Sequence, residues 1–227
     1  HRDLHSFPTR RSSDLRNITK KYTKGEDIFI AIEDVSCVLG KGDFLSVTGP
    51  SGSGKSTLLN IIGGLIRPDA GTVMFEGGNV YQGSEKQLAH YRKENIGFVF
   101  QQFHLLPYLT LFQNIKLGCH NPSQCLRIEA LLEKCLLSSL KNKFPSELSV
   151  GERQRTAFVR AIISEPVLLL ADEPTGNLDP DNSNVLMSLI QEFNSSGGSV
   201  IVASHDLRIA ELADRHLRLQ SGRVVIP

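Results

Sequence analysis

Short apolar runs alternate along the chain with stretches whose apolar residues recur every three to four positions, a rhythm of strands and helices in turn. Phe44–Thr48 reads as a buried strand. A Gly-rich turn follows it, then a helix from about Lys55 to Ile66 with Leu58, Leu59, Ile61, Ile62 and Leu65 on one broad face. Thr72–Phe75 and Asn79–Tyr81 flank Glu76-Gly77-Gly78 and read as a hairpin. Ile96–Phe100, Val167–Ala171 and Ser199–Ala203 are continuous or β-branched enough for core strands of a sheet covered on both faces. Val185, Leu186, Leu189, Ile190 and Phe193 form one face of a helix that Gly197-Gly198 ends. Between Phe103 and Ser149 the strand signals fade and Leu126–Leu137 looks helical, so a small α-rich insert is expected there. The pattern predicts an α/β fold with a mixed sheet covered by helices.

The 227 residues suffice for one sizeable α/β domain. With 40% hydrophobic and 22% charged residues, disorder is excluded as the main state. A formal net charge of +1 gives no general attraction to nucleic acid, and none is expected as a partner. No apolar run approaches the length of a membrane span, and no secretory signal peptide is visible. The protein is therefore expected in the cytoplasm, where Cys37, Cys119, Cys125 and Cys135 would be reduced packing thiols.

Residues 1–15, HRDLHSFPTRRSSDL, carry no periodicity. Phe7–Leu15 can be encoded by the end of a widely used short-read sequencing adapter. The segment is expected to be a translated artefact and disordered, with the folded domain spanning residues 16–227 and its helical insert about 103–150. On that view the true N-terminus is missing.

Chemistry enters with Gly49-Pro50-Ser51-Gly52-Ser53-Gly54-Lys55-Ser56-Thr57, a match to G-x-x-x-x-G-K-[ST] between a strand and a helix. Glycines let such a loop curl so that its amides face phosphate oxygens, and the helix N-terminus adds positive potential. Lys55 is expected to reach the β- and γ-phosphates and the Ser56 hydroxyl to ligate Mg2+. Val167–Ala171 ends in Asp172-Glu173. Asp172 suits a second magnesium-side ligand acting through water, and Glu173 is placed to orient or deprotonate an attacking water.

Leu148-Ser149-Val150-Gly151-Glu152-Arg153-Gln154-Arg155 narrows the field. It resembles the L-S-G-G-[QE] signature of ABC (ATP-binding-cassette) transporter ATPases, and the resemblance covers Arg16–Arg223. Ser149 followed by Glu152 also fits a helix capping box. The resemblance implies a P-loop core, an antiparallel β subdomain and a helical insert. It assigns Gln101 a sensor role between Mg2+, attacking water and membrane partner, with Gln102 the neighbour that could be confused with it. His205 matches the residue that contacts the γ-phosphate. Tyr22 stands where an aromatic stacks on adenine, unless it only packs against the sheet. Asp179, in Gly176-Asn177-Leu178-Asp179, matches a loop that crosses to a second subunit; it also suits a plain helix N-cap.

By the same resemblance two copies pair head to tail, and Ser149 and Gly151 of one cover the ATP held by the other. The strings P-S-E-L-S-x-G-E-R-Q-R and A-D-E-P-T-G-N-L-D are similar to the branch of lipoprotein-releasing, macrolide-exporting and cell-division ATPases. Phe103–Phe112 falls where that family docks a membrane permease, or else packs inside the insert. The implied activity is ATP hydrolysis that powers or regulates a membrane transport complex, at the inner face of the membrane through the permease. A non-transport ABC ATPase acting as a regulatory or mechanical module is the alternative. Val150 departs from the family's usual glycine; helical or extended angles with the side chain turned from the nucleotide are expected.

Overall fold

The computed structural model describes residues 13–225. Its first half runs β1 (Ser13–Lys24), β2 (Asp27–Leu39), β3 (Phe44–Thr48), α1 (Lys55–Ile62), β4 (Ala70–Phe75), β5 (Gly78–Asn79), α2 (Glu85–Asn95) and β6 (Ile96–Val99). Then come α3 (Leu111–Lys116), α4 (Pro122–Leu126), α5 (Ile128–Lys134) and α6 (Val150–Ile162). The chain closes with β7 (Leu168–Asp172), α7 (Pro180–Ser195), β8 (Ser199–Ala203), α8 (Leu207–Leu212), β9 (Arg215–Gln220) and β10 (Arg223–Val225).

A six-stranded sheet has the order β10-β9-β3-β8-β7-β6, parallel except for the β9/β10 pair. A second, antiparallel sheet has the order β2-β1-β4-β5. Strand alternation divides the interior in two. Leu169, Ala171, Val200 and Val202 face α3, α5, α6 and α7, whereas Leu168, Leu170, Ile201 and Ala203 face α1, α2 and the antiparallel sheet. The parallel strands are buried on both faces, as their unbroken apolar runs require. Their C-terminal ends form one edge, because Val47 and Asp172 both stand in register with Ala203, and Val99 with Ala171. Loops that leave this edge are thereby gathered at one place.

Several expectations shift. Ser13–Leu15, expected to be disordered, begin β1 and pair with both β2 and β4, and Leu15 is buried. Ladder bonds use backbone groups that any residue supplies, and Leu15 falls on an inward position. Residues 1–12 lie outside the described residues. The helix expected to reach Ile66 stops at Ile62; Gly64 follows at φ 71°, a value that favours glycine. β6 ends at Val99, not Phe100. The single helix expected over Leu126–Leu137 is divided at Arg127 into α4 and α5. The hairpin turns through Glu76 and Gly77, both at positive φ, with Phe75 opposite Gly78; two such residues give the turn whose twist suits a hairpin.

Candidate nucleotide site

The loop from Gly49 to Gly54 joins β3 to α1. Gly54 has φ 102°, and a Cβ there would lie 2.3 Å from the Ala31 carbonyl oxygen. The loop is thus packed against β2 by a contact only glycine permits. Lys55 opens α1 and is buried; its Nζ donates to Gly49 O at 2.9 Å and Pro50 O at 3.3 Å. A cavity of about 670 Å³ opens beside it, lined by Tyr22, Phe29, Ser51–Thr57, Gln101, Glu173 and His205. Gly49 and Pro50 meet Lys55 through their carbonyls at the base of the loop.

Glu173 closes the inner wall. Its carboxylate lies 3.6 Å from Lys55 Nζ, accepts from Ser204 Oγ at 3.2 Å and shares a hydrogen bond with His205 Nδ1 at 2.9 Å. Its backbone N–H donates to Ala203 O while φ stands at 45°, an unusual value for a side chain of this size. β7 and β8 thus deliver an acid, a hydroxyl and an imidazole to one point. A carboxylate held this way can align a water and take its proton.

The neighbouring Asp172 ends β7 half-buried. Burial pushes its carboxyl above the ordinary carboxylate range, against the opposing pull of the nearby Ser56 hydroxyl. Asp172 Oδ1 is enclosed with no hydrogen-bond partner among the described residues. An unpartnered carboxylate oxygen beside a serine hydroxyl is hard-donor chemistry that suits Mg2+. Among the described residues no cluster of three His, Cys, Asp or Glu side chains could hold a metal, so a cation here would complete its shell with phosphate and water oxygens.

Of the residues singled out from sequence, Tyr22, Ser51–Thr57, Gln101, Glu173 and His205 converge on this cavity, and Gln102 is absent from its walls. Ser149, Gly151 and Asp179 do not line it. Ser149 caps α6 in a reciprocal box with Glu152, its N–H donating to Glu152 Oε2 at 2.7 Å. Asp179 caps α7 and accepts from Asn182 N at 2.9 Å. Val150 is the first residue of α6 and has negative φ, as expected of a β-branched side chain. Phe103–Phe112 is tied to α6: Arg160 donates to Phe103 O and His104 O, and the Arg153 guanidinium stands 5.4 Å from the Phe103 ring centre. Leu111 is buried beneath this stretch and Tyr108 is 70% exposed.

Phe29 and Ser204 were not legible in advance. Phe29 faces Tyr22 across the β1/β2 ladder, a pairing set by register. Ser204 had one local signal, a polar residue directly after five buried strand residues.

This fold and cavity define a P-loop nucleotide hydrolase. Residues 32–176 match the ABC transporter family, and the chain belongs to that family. It is 41% identical over 211 residues to the lipoprotein-releasing system ATP-binding protein LolD of Aquifex aeolicus, covering 91% of this chain and 93% of that protein. The macrolide export ATP-binding/permease protein MacB of Chlorobaculum tepidum is 41% identical over 93% of this chain, which spans only 33% of MacB. The dimeric structure of the MJ0796 cassette, from Methanocaldococcus jannaschii, superposes with a TM-score of 0.88 at 37% identity, covering 94% of this chain and 97% of that one. A post-hydrolysis state of MJ0796 bound to ADP and Pi gives the same score. The chain is an ABC-type ATPase, the ATP-binding subunit of a membrane transport complex.

Proposed function

We propose that this chain works as a head-to-tail homodimer in which each ATP is bound by the P-loop of one copy and covered by Ser149 and Gly151 of the other. The observation that carries the reading is the split itself: Lys55, Glu173 and His205 share one cavity that Ser149, Gly151 and Asp179 do not line. The dimeric MJ0796 relative supports the arrangement.

Adenine stacks on Tyr22, and the amides of the Gly49–Gly54 loop together with Lys55 receive the phosphates. Pro50, Ser51, Ser53 and Thr57 shape that cradle. Ser56 and Asp172 would hold Mg2+, with Gln101 beside them; when bound, the ion would supply charge neutralisation at the phosphates. Glu173, steadied by Ser204 and His205, orients the attacking water and takes its proton, while His205 faces the γ-phosphate. Asp179 crosses to the partner copy.

No described helix is long and apolar enough to cross a membrane. A permease docks on Phe103–Phe112, where Tyr108 is exposed, and holds the ATPase on the inner face of the membrane. Relatives named for macrolide export and lipoprotein release support an exporting or releasing complex.

Glu173→Gln tests the reading. It should keep nucleotide binding and trap an ATP-dependent dimer, visible by sedimentation; a chain that stays monomeric with saturating ATP contradicts the composite site.

A further inference from the structure

The contacts around Asn182 join three parts of the chain that the ATP-covering face depends on. Asn182 stands three residues after the Asp179 cap, at the third position of α7. Its backbone N–H alone completes the cap, donating to Asp179 Oδ1 at 2.9 Å. The side chain is free of that duty and spans between elements. Its Nδ2 donates to Asp179 Oδ2 at 2.6 Å, and its Oδ1 accepts from an Arg155 terminal nitrogen at 2.5 Å. Arg155, buried on α6, also donates from Nε to Cys135 O at the end of α5, 3.1 Å away. Only one orientation of the amide gives a donor to the carboxylate and an acceptor to the guanidinium.

Gly151 supplies the second, independent observation. A Cβ on this residue would lie 2.3 Å from Asn182 Oδ1 and 2.5 Å from its Cγ. Gly151 has no positive φ that would demand glycine, so the crowding comes from the Asn182 amide. The glycine lets α7 approach the first turn of α6.

We propose that Asn182 is a positioning residue that locks the Ser149–Gly151 turn to the Asp179 turn, so that both segments meet the partner copy as one rigid unit. Gly151 is then required by its own chain, because a Cβ there would run into the Asn182 amide. The inference rests on the composite-site reading above.

The test uses full-length chain in a Glu173→Gln background, which arrests hydrolysis, and reads three quantities: ATP affinity of the monomer, melting temperature, and the dissociation constant of the ATP-dependent dimer. Asn182→Ala should leave monomer affinity within about twofold and weaken the dimer about tenfold or more. Gly151→Ala should weaken it as well, and the double variant should be no worse than the poorer single, since truncating Asn182 makes room for the new methyl. Asn182→Asp, isosteric and so free of packing loss, should also weaken the dimer by setting a second carboxylate against Asp179. Dimerisation of Asn182→Ala and Asn182→Asp equal to that of the parent would overturn the proposal, as would losses from Gly151→Ala and Asn182→Ala that multiply. A Glu173→Gln parent that does not dimerise with ATP would instead bring down the composite-site reading, and this inference with it.

Discussion

At the scale of single residues, the account turns on Glu173. Its φ of 45° bends the chain out of β7 so that the carboxylate returns over Lys55 and meets Ser204 and His205. Glu173→Gln keeps the shape and removes the proton acceptor, so hydrolysis should fall by roughly two to four orders of magnitude with ATP affinity retained. Lys55→Ala removes the buried cation proposed to face the phosphates and should weaken ATP binding itself, measurable by titration with a fluorescent analogue. Asp172 carries a pH prediction. Folding raises its pKa through burial, so just above the ordinary carboxylate range the folded chain keeps a proton that the unfolded chain has lost. Nucleotide-free stability should therefore decline as pH rises through that window and remain lower at neutral pH. Asp172→Asn should flatten that dependence and raise the melting temperature at neutral pH, while abolishing Mg2+-dependent hydrolysis. A lower melting temperature would show that the carboxylate is not a buried cost. Asp172 and Glu173 were legible because their motif ends β7, and Lys55 because the P-loop spacing puts it at the start of α1. Phe29 was not, since a cross-strand neighbour depends on register, which no single segment encodes.

Among the elements, the start of α6 is the informative one. Val150 takes the first helical position, where a β-branched residue fits, and Ser149 and Glu152 satisfy the exposed amides of the first turn. Val150→Gly should change turnover only modestly and cost about 0.5–1 kcal/mol of stability through added chain entropy. ATPase assays with the membrane partner and denaturant unfolding measure the two effects. Activation of about a hundredfold or more would show that valine impairs the natural site. β7 and β8 were plain in the sequence because each carries four consecutive apolar residues, a run with few other uses in a helix-covered sheet. β1, β2 and α2 were not. Near the start of β2, Ile28, Phe29 and Ile30 are all exposed, which breaks the alternation expected of a half-buried strand. α2 buries only Leu88 and Tyr91, too sparse an apolar face to show as a helical period, although Ser84 and Gln87 form a capping box at its start.

Across the whole molecule, one mostly parallel sheet with a core on each face places the P-loop, the Asp172-Glu173 pair and Ser204-His205 along a single edge. The signature turn lies on α6 and forms no part of that cavity. On the proposed reading, a chain built this way holds both halves of an ATP site and needs a second copy to bring them together. The resemblance carried this division of labour further than periodicity could, because the partner's contribution leaves no pattern in the hydrophobic positions of one copy. The most direct test of the composite site is steady-state ATP turnover per subunit followed on dilution. The account predicts that turnover is second order in protein at low concentration, so that the rate per subunit falls in proportion to concentration once dimers dissociate. A rate per subunit that stays flat well below the dimerisation range would contradict it.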